Sequence, residues 1–486
     1  MIVKVVSRMI KNNEKEYNEK KHNQKIGIYI HIPFCKQKCT YCDFYSKKFN
    51  TEIYNKYIDA LIKQIQNEYI IDDKTVKNNI TIDTIFFGGG TPSILDTKDI
   101  QKILDVIKLK YILDKDIEIT IECNPESITE EKVKKYNEIG INRVSIGLQT
   151  ADDRLLKLMG RIHTYQQFEY AYDIVSKYFK NINIDLMYGL PMQSTKTLED
   201  TLKKVIDKNP THISLYSLIL SEKTKMYKDI QNNIYSLNSI EEEKQIELAQ
   251  KILKQNNYIM YEVSNYAKKG YECKHNLNCW MQKNYIGYGV AASSYIGNLR
   301  ISTISDINRY IDSINGNTNI NANINSNYNS NILNNILNNN ILNDNILNIE
   351  EKQSLKDYII EKHILGLRTK YGISYFLKDN LKQDSEQDLE QNLKENLDID
   401  IDKTIIEWKK EYLNKISLLD SIDTNINKDI YNLVQKIVEI LEKYIKYDKL
   451  EKKIEKVEEK KVIYVLKEGS ERIQNILFVD ILEKSM

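Results

Sequence analysis

Three cysteines stand close together near the start of the chain, where their thiolates could hold metal. They are Cys35, Cys39 and Cys42, spaced Cys-x3-Cys-x2-Cys within the run Gly27–Phe44. Cysteine thiolates are the usual ligands of iron–sulfur clusters, and a cluster of four irons takes four ligands. Because this loop supplies three, one iron would stay open to an external chelator. The spacing therefore predicts a 4Fe–4S cluster with one free coordination site.

A zinc site and a disulfide are the alternatives for this loop. Structural zinc takes four protein ligands, usually from two Cys-x2-Cys pairs, and the sequence contains no second pair. The six cysteines lie at positions 35, 39, 42, 123, 273 and 279, which is sparse for a chain of 486 residues. A disulfide scaffold is therefore not expected, and the cluster is the favoured hypothesis.

Other residues that could bind a ligand follow apolar runs. Three consecutive glycines open Gly88–Pro92, where missing Cβ atoms would let the backbone approach a ligand. Acidic or amide side chains end three apolar runs at Glu122, Gln149 and Asp185, and Arg161 offers a guanidinium fork suited to a carboxylate. Each has a structural alternative, a tight turn or a salt bridge, but together they indicate a pocket.

The elements that position these residues alternate between β-type runs and helical patterns. Six strands are predicted, at Ile26–Ile32, Thr84–Phe87, Ile117–Cys123, Arg143–Leu148, Ile182–Met187 and His212–Leu218. Helical patterns lie between them, as at 52–70, and Ser239 with Glu242 predicts a capping box. Such alternation is typical of parallel β/α units. The predicted fold class is α/β, with a partial (β/α)6 barrel.

The positions of the motifs favour the barrel over an open doubly wound sheet, which spacing alone leaves as the alternative. Nearly every unusual residue follows the C-terminal end of a strand, the rim where β/α barrels place their chemistry. An open sheet uses that edge only near a switch point. Six functional loops therefore suit a barrel better.

The chain divides by composition into four predicted segments. Residues 1–25 are a polar extension, and residues 26–305 carry the barrel. Residues 316–349 are rich in Asn and low in complexity, which predicts a disordered or loosely ordered insertion. Residues 350–486 read as a small, mainly helical accessory domain with a hairpin near Val462–Leu466.

Charge and hydropathy exclude several classes of protein. The 70 basic and 69 acidic residues leave a net charge of +1, so no nucleic-acid partner is expected. The first 25 residues contain no apolar signal-peptide core, and no window approaches 18 uninterrupted apolar residues. We expect a cytoplasmic protein, with peripheral contact to the inner face of the membrane left open.

From Tyr29 to about Ile296, the order and spacing of these motifs resemble the radical S-adenosylmethionine (SAM) family of the heme chaperone HemW and oxygen-independent coproporphyrinogen III oxidase. The resemblance implies that the open iron binds the amino and carboxylate groups of SAM. It implies a SAM site formed by Tyr29, Tyr41, Gly89, Gly90, Thr91, Glu122, Gln149, Arg161 and Asp185.

Two features separate the chaperone branch from the oxidase branch. The oxidase typically has a further Cys two residues after the third cluster ligand, and this chain has Phe44 there. The run His275–Trp280 resembles the chaperone's heme-associated His-Asn-x-x-Tyr-Trp motif. The resemblance implies heme contacts at His275, Asn276 and Trp280, with His275 as a ligand of the heme iron and Trp280 stacked on the macrocycle.

The chain departs from that motif at Cys279, where the family usually has Tyr. A thiolate there could itself ligate heme, or the change could be tolerated. Cys273, His275 and Cys279 also form a rival metal trio, for which the sequence shows no fourth ligand. Downstream, Ser293 stands where relatives often carry His, which puts a role for a second histidine in doubt.

The resemblance implies a heme chaperone that binds a 4Fe–4S cluster, SAM and heme and delivers heme to an acceptor hemoprotein, including a membrane-associated one. A low-potential electron donor is the other expected partner. The alternatives are the oxidase, which decarboxylates two propionates of coproporphyrinogen, and another radical SAM enzyme that binds no heme. Whether the protein is an enzyme therefore stays open at this point.

Overall fold

The computed structural model describes residues 24–67, 80–316, 347–376, 428–446, 450–456 and 461–466, with single positions between 404 and 411 and at 481. The predicted extension over residues 1–25 lies outside them except for Gln24 and Lys25, which already belong to the first strand. Residues 317–346 of the predicted Asn-rich insertion also lie outside. Residues 347–349 of that insertion belong to a strand.

Six parallel strands form the centre of the fold, as the alternation of elements predicted. They are β1 (Gln24–Ile32), β2 (Ile80–Gly89), β3 (Ile112–Cys123), β4 (Arg143–Gln149), β5 (Asn181–Tyr188) and β6 (His212–Ser217). Each strand pairs in parallel with the next in chain order. The fold is therefore α/β and has the six units of a partial (β/α)6 barrel.

Helices between the strands supply the outer layer. They are α1 (Thr51–Asn67), α2 (Thr97–Lys110), α3 (Glu130–Glu138), α4 (Asp153–Leu158), α5 (Tyr165–Tyr178), α6 (Thr195–Asp207), α7 (Lys225–Gln231) and α8 (Ser239–Gln255). The apolar faces of most of them pack with alternate strand residues, such as Ile28 and Ile30, in one large hydrophobic core, whereas Leu155 of α4 and Met226 of α7 belong to a smaller cluster.

The other face of the strands points into the barrel and is polar or aromatic. Successive side chains of a strand point to opposite faces, so Tyr29 and His31 face inward while their neighbours are in the core. The same alternation brings Arg143, Ser145 and Asp185 to the interior. This arrangement explains how apolar strands can still build a polar cavity.

The prediction that Ser239 and Glu242 form a capping box is wrong. Asn238 is the N-cap of α8, and its side chain accepts a hydrogen bond of 3.1 Å from the backbone N–H of Glu241. Asn caps a helix at least as well as Ser does, so Ser239 becomes the first helical residue. Glu242 then accepts a hydrogen bond of 2.5 Å from the Ser217 hydroxyl at the end of β6.

The sheet continues beyond the six strands on both sides. After β6 come the antiparallel β7 (Ile259–Glu262) and β8 (Asn265–Ala267), and β9 (Tyr285–Tyr288) pairs in parallel with β1. Antiparallel strands follow as β10 (Ser293–Ile296), β11 (Leu299–Thr303) and β12 (Leu347–Lys352). The order of the twelve strands is β12-β11-β10-β9-β1-β2-β3-β4-β5-β6-β8-β7.

Two short helices complete this part of the molecule. The helix α9 (Lys274–Trp280) carries the histidine motif and contacts β2. The helix α10 (Ile307–Ile314) contributes Ile307, Tyr310 and Ile311 to the hydrophobic core. The core therefore continues past residue 305, where the sequence placed the end of the barrel segment.

The C-terminal region contains helices and a small sheet. The helix α11 (Leu355–Arg368) matches a helical pattern in the sequence, and α12 (Lys428–Lys446) follows. The strands β13 (Ile373–Phe376), β14 (Leu450–Lys456) and β15 (Lys461–Leu466) form an antiparallel sheet that includes the predicted hairpin strand. Within the described residues, none of the helices is both long and apolar enough to span a membrane.

Candidate functional site

The three cysteines lie in the loop after β1, at the C-terminal rim of the barrel. All three are free thiols of intermediate exposure. The Thr91 hydroxyl donates to the Cys35 sulfur at 3.5 Å, and Arg161 Nη1 donates to the Cys39 sulfur at 3.7 Å. Burial raises the pKa of Cys35, and it raises the pKa of Cys42 to about 11. Metal binding at Cys35 and Cys42 would therefore displace the proton of each thiol.

A cluster and a single metal ion make different demands on the cysteine loop. In the described part of the chain, no three His, Cys, Asp or Glu side chains are grouped to hold one metal ion. A cubane makes a different demand, because each thiolate binds a separate iron. The rival trio of Cys273, His275 and Cys279 is not assembled either, since the buried Cys273 thiol donates to Glu118 Oε1 at 3.5 Å.

The glycine turn after β2 is required by packing within the protein. Gly89 has a φ of +110°, and a Cβ there would lie 2.6 Å from the His31 ring. A Cβ on Gly90 would lie 2.8 Å from the backbone oxygen of Phe34. These close approaches let the turn lie against the cysteine loop, and the Gly90 N–H donates to the Ile32 oxygen at 2.7 Å.

Glu122 is a buried acidic group with the properties of a binding site for a cation. Burial, followed by the charge of Asp185, raises the pKa of Glu122 to about 8. Among the described residues its carboxylate accepts one hydrogen bond, from the Gly89 N–H at 3.2 Å. A cationic ligand would lower the pKa of such a carboxyl group, because a nearby positive charge favours the carboxylate form.

Arg161 is tied to the rim by several hydrogen bonds. Its Nη2 donates to Asn124 Oδ1 at 2.9 Å and to the Gly147 oxygen at 2.6 Å. Asn124 in turn donates to the Thr91 hydroxyl at 3.0 Å. Gln149, which has a φ of +74°, brings its amide beside the same Gly147. Asn124 was not singled out from the sequence, although it lies two positions after Glu122.

A cavity of about 480 Å³ lies inside the barrel below this rim. Six residues predicted for SAM or heme line it, namely Tyr29, Gly89, Glu122, Asp185, His275 and Asn276. The other five predicted SAM residues lie around the cysteine loop or the rim, namely Tyr41, Gly90, Thr91, Gln149 and Arg161. Phe44, which is 66% exposed, also lines the cavity. Four of the nine residues predicted for SAM and two of the three predicted for heme therefore line one cavity.

His275 projects from α9 into the barrel. Its Nδ1 shares a hydrogen bond of 2.9 Å with the Thr84 hydroxyl, and its ring stacks on Phe86 with centroids 5.1 Å apart. The His275 backbone N–H donates to Glu118 Oε1 at 3.2 Å. Burial, with the charge of Arg143, lowers the pKa of His275 to about 3. The imidazole is therefore neutral, the form that ligates metals.

Trp280 and Cys279 lie differently with respect to the cavity. The Trp280 ring is not part of the cavity wall and packs instead under Arg368, whose Cζ is 4.3 Å from the ring centroid. Cys279 does line the cavity, and burial raises the pKa of its thiol to about 12. Stacking of Trp280 on a macrocycle and thiolate ligation by Cys279 both stay predictions.

A polar network inside the barrel was not predicted. Ser145 donates to Asp185 Oδ2 at 2.9 Å, and Asn183 donates to Asp185 Oδ1 at 2.8 Å. His212 Nδ1 lies 2.6 Å from Asn183 Oδ1. The sequence signal was alternation, because Arg143 and Ser145 in β4, like Asn183 and Asp185 in β5, are separated by one apolar residue.

Comparisons with known proteins agree with this geometry. Residues 29–205 match the family model of the radical SAM superfamily. The "Heme chaperone HemW" of Buchnera aphidicola from Schizaphis graminum is 40% identical over 60% of this chain and 76% of its own length. The "Heme chaperone HemW" of Bacillus subtilis is 37% identical over 59% of this chain and 76% of its own length.

A solved structure shares the fold. Coproporphyrinogen III oxidase (HemN) from Escherichia coli, described as a radical SAM enzyme, aligns with a TM-score of 0.67 over 95% of this chain and 90% of its own. The two sequences are 16% identical in that alignment, so the similarity establishes the fold and leaves the activity open.

Proposed function

The chain belongs to the HemW family of radical SAM proteins, and on that premise we propose that it is a heme chaperone. It binds a 4Fe–4S cluster, SAM and heme and delivers heme to an acceptor hemoprotein. The observation that carries this proposal is the neutral His275 in the wall of the cavity that Glu122 also lines. An imidazole is a common axial ligand of heme iron.

The cluster and SAM are held at the rim. Cys35, Cys39 and Cys42 would hold three irons of the cluster, and SAM would chelate the fourth through its amino and carboxylate groups. Glu122 is placed to accept a hydrogen bond from an N–H of that amino group, because its buried carboxyl group accepts one hydrogen bond and forms no ion pair among the described residues. Arg161 orients Asn124 and the cysteine loop through its hydrogen bonds.

Heme is bound through His275. The Thr84 hydroxyl engages Nδ1, which fixes the ring and leaves Nε2 for iron. Such partners of the second ring nitrogen orient metal-binding histidines and raise their basicity. Asn276, next to His275, lines the same cavity and would contact the ligand. Trp280 would contact heme only after a change of its packing against Arg368.

Phe44 supports the chaperone over the oxidase. It occupies the position where the oxidase branch typically has a further Cys, and it is an exposed apolar residue at the cavity.

We further propose that a low-potential donor reduces the cluster. The handover of heme takes place in the cytoplasm, at the inner face of the membrane when the acceptor is membrane-associated.

The test is anaerobic reconstitution followed by parallel assays. We expect about one heme per chain by absorption titration, and iron and sulfide that are mostly lost when Cys35, Cys39 or Cys42 is changed to Ala. Coproporphyrinogen III should be left unconverted by the reduced protein with SAM. Robust formation of protoporphyrinogen IX would replace the chaperone proposal with the oxidase.

A further inference from the structure

Arg143, on β4, presents an unusual buried charge to the cavity. The residue is 2% exposed and lines the same cavity as Glu122 and His275. Across the described residues, no hydrogen bond or ion pair reaches its guanidinium, and its buried Nε has no partner. A guanidinium carries five N–H donors, and a buried charge without hydrogen-bond partners is costly. Arg143 therefore has donors to offer a ligand.

The neighbouring carboxylates are engaged by other donors. Glu118 accepts the backbone N–H groups of Lys274 and His275, each at 3.2 Å. Asp185 accepts from Ser145 and Asn183, and Glu122 accepts from Gly89. Burial opposes the charge on Arg143, but the nearby groups Cys273, Glu118, Tyr261 and Asp185 together raise its pKa above the ordinary value. The guanidinium is therefore a permanent cation without a direct anionic partner among these groups.

We propose that Arg143 binds the carboxylate of a ligand whose flat apolar body lies against the aromatic wall of the cavity. A guanidinium binds a carboxylate through two parallel hydrogen bonds. The aromatic wall consists of Tyr29, Phe86, Tyr216 and Tyr285. A singly charged carboxylate balances one guanidinium, whereas a phosphate would bring a second negative charge close to Glu122 and Asp185.

Two sources could supply this carboxylate. One is a propionate of heme, and in that form the inference rests on the proposed function. The other is a separate small organic acid with an aromatic or aliphatic body. The chemistry at Arg143 is the same in both cases, so the experiment must separate the two sources.

The stability of R143M must be measured beside its binding. Removing one member of a group of buried opposite charges destabilises a protein, and the carboxyl groups of Glu118 and Asp185 lie near Arg143. We therefore expect R143M to melt below wild type without ligand, and R143K, which keeps the charge, to melt closer to it. The matched control is R154M, because Arg154 is exposed and pairs with Asp152 outside the cavity.

The binding experiment uses the full chain with reconstituted cluster and three tetrapyrrole probes. Protoporphyrin IX keeps both propionates and lacks iron, so its affinity should fall about 10- to 100-fold in R143M, the range for a lost charged hydrogen bond. Heme should lose affinity by a similar factor, and R143K should lose less. Heme dimethyl ester, which has no free carboxylate, should bind wild type and R143M equally.

The small-acid source is tested with 3-phenylpropionate at millimolar concentration. If it raises the melting temperature of wild type and of R154M but not of R143M, while the tetrapyrroles bind R143M normally, the ligand is a small acid. Wild-type protein that binds no heme would refute the proposed function, and this arm would still test Arg143. Equal affinity of R143M and wild type for every probe would overturn the inference, whatever the melting temperatures.

Discussion

Glu122 is a carboxyl group whose state of charge should depend on its ligand. Its pKa of about 8 means that it is mostly protonated at pH 7 in the ligand-free protein. SAM is a cation through its sulfonium, and its amino group offers N–H donors, so its binding favours the carboxylate and below pH 8 must release a proton from Glu122. We expect SAM affinity to rise as the pH increases from 6 to 8. Calorimetry at pH 7 in buffers of different ionisation enthalpy would count the protons released.

The control for this prediction is Glu122→Gln, which keeps the shape of the side chain and cannot release a proton. That variant should bind SAM about 1.5–3 kcal/mol more weakly, the range for a lost hydrogen bond to a charged group. Its proton release should be smaller than that of wild type by the share that Glu122 supplies, since the amino group of SAM loses its own proton on coordinating iron in both proteins. Equal proton release from both proteins would show that Glu122 does not meet the amino group of SAM.

His275 and Cys279 are two candidate ligands for iron on the same cavity wall. The imidazole has a pKa of about 3 and the thiol a pKa of about 12, so at pH 7 the ring has its coordinating form and the thiol does not. We expect His275→Ala to shift the Soret band of bound heme and Cys279→Ala to leave it in place. A comparison of absorption spectra at equal heme loading would measure this.

The same pair of variants can contradict the imidazole assignment. A Soret shift in Cys279→Ala alone would point to a thiolate ligand. Thr84→Val provides a finer control, because it removes the hydroxyl at His275 Nδ1 without touching the ligand itself. It should alter the spectrum slightly and retain most of the heme, since the partner of the second nitrogen orients and tunes a ligand.

At the scale of elements, the six central strands could be predicted because their apolar runs are long and evenly spaced. The strand β9 was not predicted, since Tyr285–Tyr288 is four residues long and lies directly beyond the histidine motif. The polar residues on the inward face of the barrel could be predicted only in part, for a related reason. Residues such as Arg143 and Asn183 lie within runs that look apolar as a whole, and only their alternation reveals a second, polar face.

The candidate site was predicted better than its internal contacts. Type and spacing brought the cysteine loop, Glu122 and His275 into one region, because all parallel strands end at the same rim. Spacing could not show that Trp280 packs on Arg368, a residue far along the chain. Nor could it choose Asn238 over Ser239 as the helix cap, since both residue types cap well.

The last residues of the Asn-rich tract belong to a strand of the sheet. The strand β12 begins at Leu347 and pairs with β11, so deletion of the whole predicted insertion over 316–349 would remove half of an edge strand. Residues 317–346 belong to the Asn-rich, low-complexity stretch for which the sequence predicts a disordered or loosely ordered insertion. We expect replacement of residues 317–346 by a short Gly/Ser linker to leave cluster content and SAM affinity nearly unchanged.

The control for this deletion also removes residues 347–349. It should lower the melting temperature, because β11 would lose part of its partner strand. Equal loss of cluster in the shorter and longer deletions would show that residues 317–346 are themselves a structural element.

On the scale of the whole molecule, the C-terminal region packs against the helix that carries His275. Arg368, at the end of α11, covers the Trp280 ring and donates through Nε to Glu262 Oε2 at 3.0 Å. Gln282, just after α9, donates to Glu361 Oε2 at 2.9 Å. The position of the histidine motif thus depends on residues 79 to 88 positions further along the chain.

The last prediction separates this support from general stability. Arg368→Ala removes a cation–π contact of about 0.5–2 kcal/mol and also leaves the buried Glu262 carboxylate without its cation. We expect heme affinity to fall a few-fold and the melting temperature to drop, with cluster content unchanged. Adding Glu262→Gln removes the unpaired charge, so the double variant should regain stability while its heme affinity stays low. If heme affinity recovers together with the melting temperature, Arg368 acts through stability alone and the C-terminal region does not position α9 for heme.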